Sequence, residues 1–142
     1  MTLYEIGFVF RGFILVNYIF KELPDQVNVE DPGKDLRGAF ISAINTFVEN
    51  AFINNSIEYL ELENYLFIFK MDEMKSSDST QKETLILYGI TDKKRKIDKF
   101  VRKFLEEVHP ILQLFKKRYY NKDLTELDQF KSFKEEIKAF YE

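Results

Sequence analysis

The stretch LYEIGFVFRGFILVNYIF, residues 3–20, decides how the rest of the chain is read. Two runs rich in Ile, Val, Phe and Tyr meet at Arg11-Gly12. Gly in a short connection between β-prone runs signals a hairpin, because it tolerates positive φ. Neither run alternates cleanly between apolar and polar residues, and Phe13, Ile14, Leu15 and Val16 are consecutive. Strands that are apolar on both sides are normally covered on both faces. The hairpin therefore predicts a sheet with helices on each side. Residues 6–20 are also the most apolar stretch near the N-terminus, but they fall short of the ~20 residues a spanning helix needs. Arg11 and Asn17 interrupt them and no basic segment precedes them, so they read as buried strands and a cytoplasmic protein is expected.

Moving outward, residues 23–33 carry Pro24, Asp25, Asp31, Pro32 and Gly33 and read as a loop. Asp35 is placed to cap a helix over residues 36–50, where Leu36, Phe40, Ile44, Phe47 and Val48 recur at helical spacing. Gly38, Ala39, Ser42 and Ala43 are small and would let this helix approach its own sheet or a partner closely. A strand is expected at 57–62, a turn at Glu63-Asn64, a strand at 65–71, a mobile polar loop at 72–82 and a fifth strand at 83–90. The period then changes. Ile97, Phe100, Val101, Phe104, Leu105 and Val108 mark one face of a helix that Pro110 should kink or break near His109. Ile111, Leu112, Leu114 and Phe115 continue the pattern to about 120. After a break at 121–123, capped by Asp123 or Thr125, a last helix would use Leu127, Phe130, Phe133, Ile137 and Phe140. The predicted fold is α+β: a five-stranded, mainly antiparallel sheet with helices on both faces, in the order β-β-α-β-β-β-α-α.

The 142 residues suit one domain over 1–142. A content of 45% apolar and 32% charged residues rules out disorder as the main state. With no Cys, a disulfide framework, a thiolate metal site and a cysteine nucleophile are excluded. The single His lies at i, i+3 from Glu106, but carboxylate-bridged di-metal bundles need two such pairs, so His109 reads as a surface or kink-adjacent residue. Glu58, Glu61 and Glu63 read as a soluble sheet edge rather than paired acid–base catalysts. No G-x-S-x-G elbow and no glycine-rich dinucleotide fingerprint is present, and Gly33-Lys34 lacks the upstream Gly of a phosphate loop. Neither catalysis nor a metal or cofactor is expected.

Charge is unevenly spread. Residues 1–92 hold 7 basic and 15 acidic side chains, a net of −8, whereas 93–142 hold 14 and 9, a net of +5. The sharpest local anomaly is Lys93, Lys94, Arg95 and Lys96 followed by Lys99, Arg102 and Lys103. Cations at a helix N-terminus oppose the macrodipole. The plain reading is a solvated helix face; the functional one is a surface for acidic lipid headgroups, a phosphate or an acidic protein. Nucleic acid fits poorly, because the chain is acidic overall and shows no exposed aromatics interleaved with a basic surface.

The element order, and the segment from Asp35 through Phe52 and on to Lys70, resemble the longin domain and archaeal longin- or roadblock-like proteins. The resemblance implies a profilin-like, non-catalytic interaction module over the whole chain, with the helix at about 124–141 as an extension. It also implies dimerisation, homo- or heteromeric, through a sheet edge or the helix carrying Gly38, Ala39, Ser42 and Ala43. Its expected partners are a small Ras-like GTPase or another longin or roadblock protein in membrane traffic; a peripheral contact with acidic membrane through the cations at 93–103 is compatible with this and comes from the charge pattern. A sensor domain holding a small molecule among Phe-rich walls is the other reading.

Overall fold

The computed structural model describes residues 2–23, 59–61 and 64–141. Five strands form one sheet: β1 (Leu3–Phe10), β2 (Phe13–Ile19), β3 (Tyr59–Glu61), β4 (Tyr65–Met74) and β5 (Glu83–Asp92). Their spatial order is β2-β1-β5-β4-β3, with every neighbouring pair antiparallel. Two helices follow, α1 (Ile97–Tyr119) and α2 (Lys131–Phe140), the second preceded by a 3-10 turn at Leu127–Phe130. The described elements thus run β-β-β-β-β-α-α. The helix expected over 36–50, which would make the order β-β-α-β-β-β-α-α, lies outside the described residues together with Gly38, Ala39, Ser42 and Ala43.

The hairpin turns where the sequence placed it. Phe10 pairs with Phe13, and both connecting residues take positive φ, 52° at Arg11 and 80° at Gly12. Primed two-residue turns require this of both central positions, because their twist then matches that of the strands. The unbroken apolar run in β2 also has a local cause. Phe8 pairs with Val16 but Val9 with Ile14, so Leu15 is the extra residue of a β-bulge, and Leu15 and Val16 both enter the same core layer.

β1, β4 and β5 are buried on both faces. Ile6, Phe8, Leu66, Ile68, Leu85 and Leu87 face one layer, and Val9, Phe67, Phe69, Ile86, Tyr88 and Ile90 the other. Both described helices lie on the first face, so the expectation of helices on each side is met on one side among the described residues. There the aromatic rings fill the space between sheet and helices. Phe8 stacks on Phe115 with centroids 4.1 Å apart, and Phe133 meets both edge-on. Phe133 and Ile137 of α2 belong to this core.

Three further expectations need adjusting. Of the kink or break expected near Pro110, the break does not occur: α1 runs continuously through it. The proline sits on the exposed side, where the Glu106 carbonyl that loses its N–H partner meets solvent, while Val108, Ile111, Leu112 and Phe115 hold the opposite side to the sheet. The last α-helix begins at Lys131, because the turn over 127–130 winds more tightly, and Leu127 and Phe140 are exposed. Asp123 caps no helix; its Oδ1 accepts from the Thr125 N–H at 2.9 Å and the Thr125 hydroxyl at 2.6 Å.

Finally, the polar loop after β4 is tied down. Arg11 Nε and Nη2 donate to both oxygens of Glu83, at 2.8 and 2.6 Å, and Nη1 and Nη2 reach Asp78 at 3.2 and 3.1 Å. Ser76 is fully buried and its hydroxyl donates to Asp78 at 2.5 Å, while the Ser79 hydroxyl donates to Glu83. Backbone bonds from Ser77 N to Lys122 O and from Asn121 N to Lys75 O fasten the same loop to the end of α1.

Candidate functional site

The chain leaves β5 at Asp92, whose carboxylate accepts from the Thr2 N–H at 3.0 Å and whose own N–H donates to the Thr2 carbonyl at 3.1 Å. Lys93–Lys96 then lead into α1. Helix starts usually carry Ser, Thr, Asp or Asn at the N-cap, and acids in the first turn. Here Lys96 occupies the N-cap without a side-chain cap, and Asp98 is the only acid in the first turn. Asp98 accepts a hydrogen bond from the Tyr59 hydroxyl of β3 at 3.1 Å, and that bond raises the Tyr59 pKa. Together these residues join the start of α1 to the β3 edge of the sheet.

The seven cations singled out in the sequence divide into two groups. Lys93 pairs with Glu61 at 3.4 Å and Lys94 with Asp92 at 3.6 Å. Arg95, Lys96, Lys99, Arg102 and Lys103 are exposed and have no ion pair among the described residues. Arg95 and Lys96 lead into the helix, and Lys99, Arg102 and Lys103 occupy the outer side of its first two turns, opposite buried Val101 and Phe104. Beside them is an open hollow of about 470 Å³ lined by Tyr59, Arg95, Lys96, Ile97, Asp98 and Lys99. A smaller one of about 190 Å³ lies between Lys94, Phe100, Lys103, Phe104 and Glu107.

Glu106 and His109 are exposed on the next turns of α1. Among the described residues, no group of three or more His, Cys, Asp or Glu is arranged to hold a metal. Glu61 faces solvent and pairs with Lys93; Glu58 and Glu63 lie outside the described residues.

Two polar clusters escaped the sequence reading. In the first, hydrogen bonds from Arg11 hold Asp78 at a pKa of about 2 and lower that of Glu83, while Glu83 raises that of Arg11. The acids and the guanidinium satisfy one another, so this cluster binds three segments of chain and presents no reacting group. In the second, the Tyr88 hydroxyl donates to Glu5, a side chain only 2% exposed, and Asn17 donates to the same carboxyl at 3.2 Å. The only local signal for either was a charged residue inside an apolar hairpin.

No family model, curated protein or solved structure matches the chain.

The site is therefore read on its own chemistry. It offers a dense positive surface, a tyrosine–aspartate bond that fixes the sheet edge to the helix, and solvent access. No helix among the described residues is long and apolar enough to cross a membrane.

Proposed function

We propose that this chain is a non-catalytic interaction module, a longin-like scaffold or regulator that pairs through a sheet edge and engages a small Ras-like GTPase or a membrane-traffic complex. The observation that carries this reading is the sheet itself. A hairpin and a three-stranded meander join through β1 and β5 into one antiparallel sheet whose central strands are buried on both faces. Such a sheet leaves its edges and the outer helix surfaces for contact with partners.

β2 supports the pairing in particular. It is seven residues long, carries no charge, and has no strand on its outer side among the described residues. Exposed edge strands are ordinarily blunted by charges or proline, and β2 instead exposes Phe13 (71%) and Ile19 (37%). The bulge at Leu15 limits the regular part of this edge to residues 16–19. The sensor reading has less support: in the helix-covered layer the phenylalanines fill the interior themselves, as the stacking of Phe8, Phe115 and Phe133 illustrates.

Light scattering on a sizing column, with pull-downs against small GTPases loaded with GDP or a GTP analogue, tests the reading. A dimer that retains at least one GTPase is expected. Ile19→Lys, which places a charge on the β2 edge, should yield a monomer with an unchanged melting curve. A strict monomer that ignores every GTPase would overturn the proposal.

A further inference from the structure

We infer that the outer face of the first two turns of α1 docks on an anionic lipid bilayer. The inference is independent of the GTPase reading and rests on Arg95, Lys96, Lys99, Arg102 and Lys103. Arg95 and Lys96 lie in the segment that leads into α1, and Lys99, Arg102 and Lys103 span about 6 Å along the helix at 1.5 Å per residue. All five are exposed, and none has an acidic partner among the described residues. The two neighbouring cations that do have partners, Lys93 and Lys94, mark the boundary of the face on one side, and the exposed Glu106 and Glu107 close it on the other.

A bilayer is favoured over other anionic partners by what surrounds these charges. Among the described residues the large exposed apolar side chains, Phe13, Ile19, Tyr120, Leu127 and Phe140, all lie elsewhere, so these residues offer the face no apolar anchor of the kind on which a stable protein interface depends. Nor do the described residues give it a free aromatic for stacking on bases: Phe100 is half-buried and the Tyr59 hydroxyl is engaged by Asp98. The adjoining hollow is open rather than enclosing, so it does not gather the cations around one small phosphate. What remains is a row of exposed cations, three of them at the rim of an open hollow, which suits a plane of mobile headgroups. The formal net charge of −3 does not oppose this. At physiological ionic strength charges act over about 8 Å, so the membrane experiences the local cations and not distant acids.

Vesicle sedimentation tests the inference with the whole chain. Phosphatidylserine–phosphatidylcholine vesicles are compared with pure phosphatidylcholine at about 0.1 M and about 1 M salt, where the screening length falls from about 10 Å to about 3 Å. Binding to the anionic vesicles alone, abolished at high salt, is expected. Each basic residue near such a surface contributes about five-fold in partitioning, from about 1 kcal/mol per charge, so Lys96→Gln with Lys99→Gln should weaken binding about 25-fold. Lys117→Gln with Lys134→Gln changes the net charge equally at exposed positions outside the face and should leave binding unchanged. Equal losses in the two double variants, equal binding to neutral vesicles, or no binding to anionic vesicles would each overturn the inference. Capture by duplex DNA without vesicle binding at the same salt would overturn it in favour of nucleic acid.

Discussion

Gly89→Ala sets packing against propensity. Gly89 sits in the middle of β5, between Ile6 of β1 and Ile68 of β4. A strand-interior glycine costs roughly 0.5–1 kcal/mol relative to alanine, so propensity alone would make this substitution stabilising. Packing gives the opposite sign. A Cβ at this position would lie 2.9 Å from Cε1 of Phe104 and nearer still to its Cζ. Carbon atoms pack at about 3.5–4.0 Å, so the ring must retreat by roughly 1 Å. Phe104 is buried between α1 and the sheet, beside Phe100, and has little room to move. Overpacking of this kind costs about 1–3 kcal/mol. Offset by the propensity gain, the net loss is about 1–2 kcal/mol, and a melting temperature about 3–7 °C lower is expected for a chain of this size.

A double-mutant cycle isolates the contact. Phe104→Leu alone removes buried aromatic surface and is destabilising. Combined with Gly89→Ala, the smaller side chain makes room for the new methyl, which in turn fills part of the space the ring vacated. The double variant should therefore lose less stability than the sum of the singles, with a coupling of at least about 0.5 kcal/mol by urea denaturation. A single Gly89→Ala variant as stable as the parent, or a strictly additive cycle, would refute the reasoning.

Two further perturbations probe the ties between elements. Arg11 hydrogen bonds depress the carboxyl pKa values of Asp78 and Glu83, so their contribution to stability is fully present above the unfolded range near pH 4 and is lost as the pH falls toward about 2. Melting curves between about pH 2 and about pH 6 should show this acid-side loss in the parent and a flatter profile in Arg11→Gln, and identical slopes would contradict the clamp. Pro110→Ala restores an N–H for the Glu106 carbonyl in an exposed, continuous stretch of helix, so it should stabilise the chain by up to about 1 kcal/mol, less than the full interior penalty of proline because the present helix already accommodates the ring; a lower melting temperature would show that the ring itself is needed.

Much of the sheet was legible because its signals are local. Arg11-Gly12 marked the hairpin, and the doubly apolar strands marked burial on both faces. The pairing of β1 with β5 was beyond such reading, since it joins residues some eighty positions apart that carry no mutual code beyond hydrophobicity. The loop after β4 was misread for the same reason: its serines and acids look solvated until Arg11 of a different hairpin reaches them. Pro110 shows a local rule overridden by tertiary structure, because burial of one side of α1 outweighs a lost hydrogen bond on the other. Of the basic cluster, composition revealed the charge, and only the fold separated the compensated Lys93 and Lys94 from the five exposed cations that have no ion pair among the described residues.

The two candidate contact surfaces also lie at opposite ends of the sheet. β2 is the first strand in the spatial order, whereas Tyr59 and Glu61, which bind Asp98 and Lys93 at the start of α1, belong to β3, the last. Four strand spacings of about 4.8 Å put roughly 19 Å between the two edges, more than twice the physiological screening length of about 8 Å. A partner strand on β2 therefore neither covers the basic face nor alters its potential. Among the described residues the two surfaces are also chemically opposed, one an apolar strand with no strand beyond it and the other charged without an apolar anchor, so a ligand suited to one gains little from the other. A protein partner and an anionic surface can then occupy the molecule together without competing. That arrangement suits a tether, whose two attachments must hold at once, better than a switch, in which one contact displaces the other.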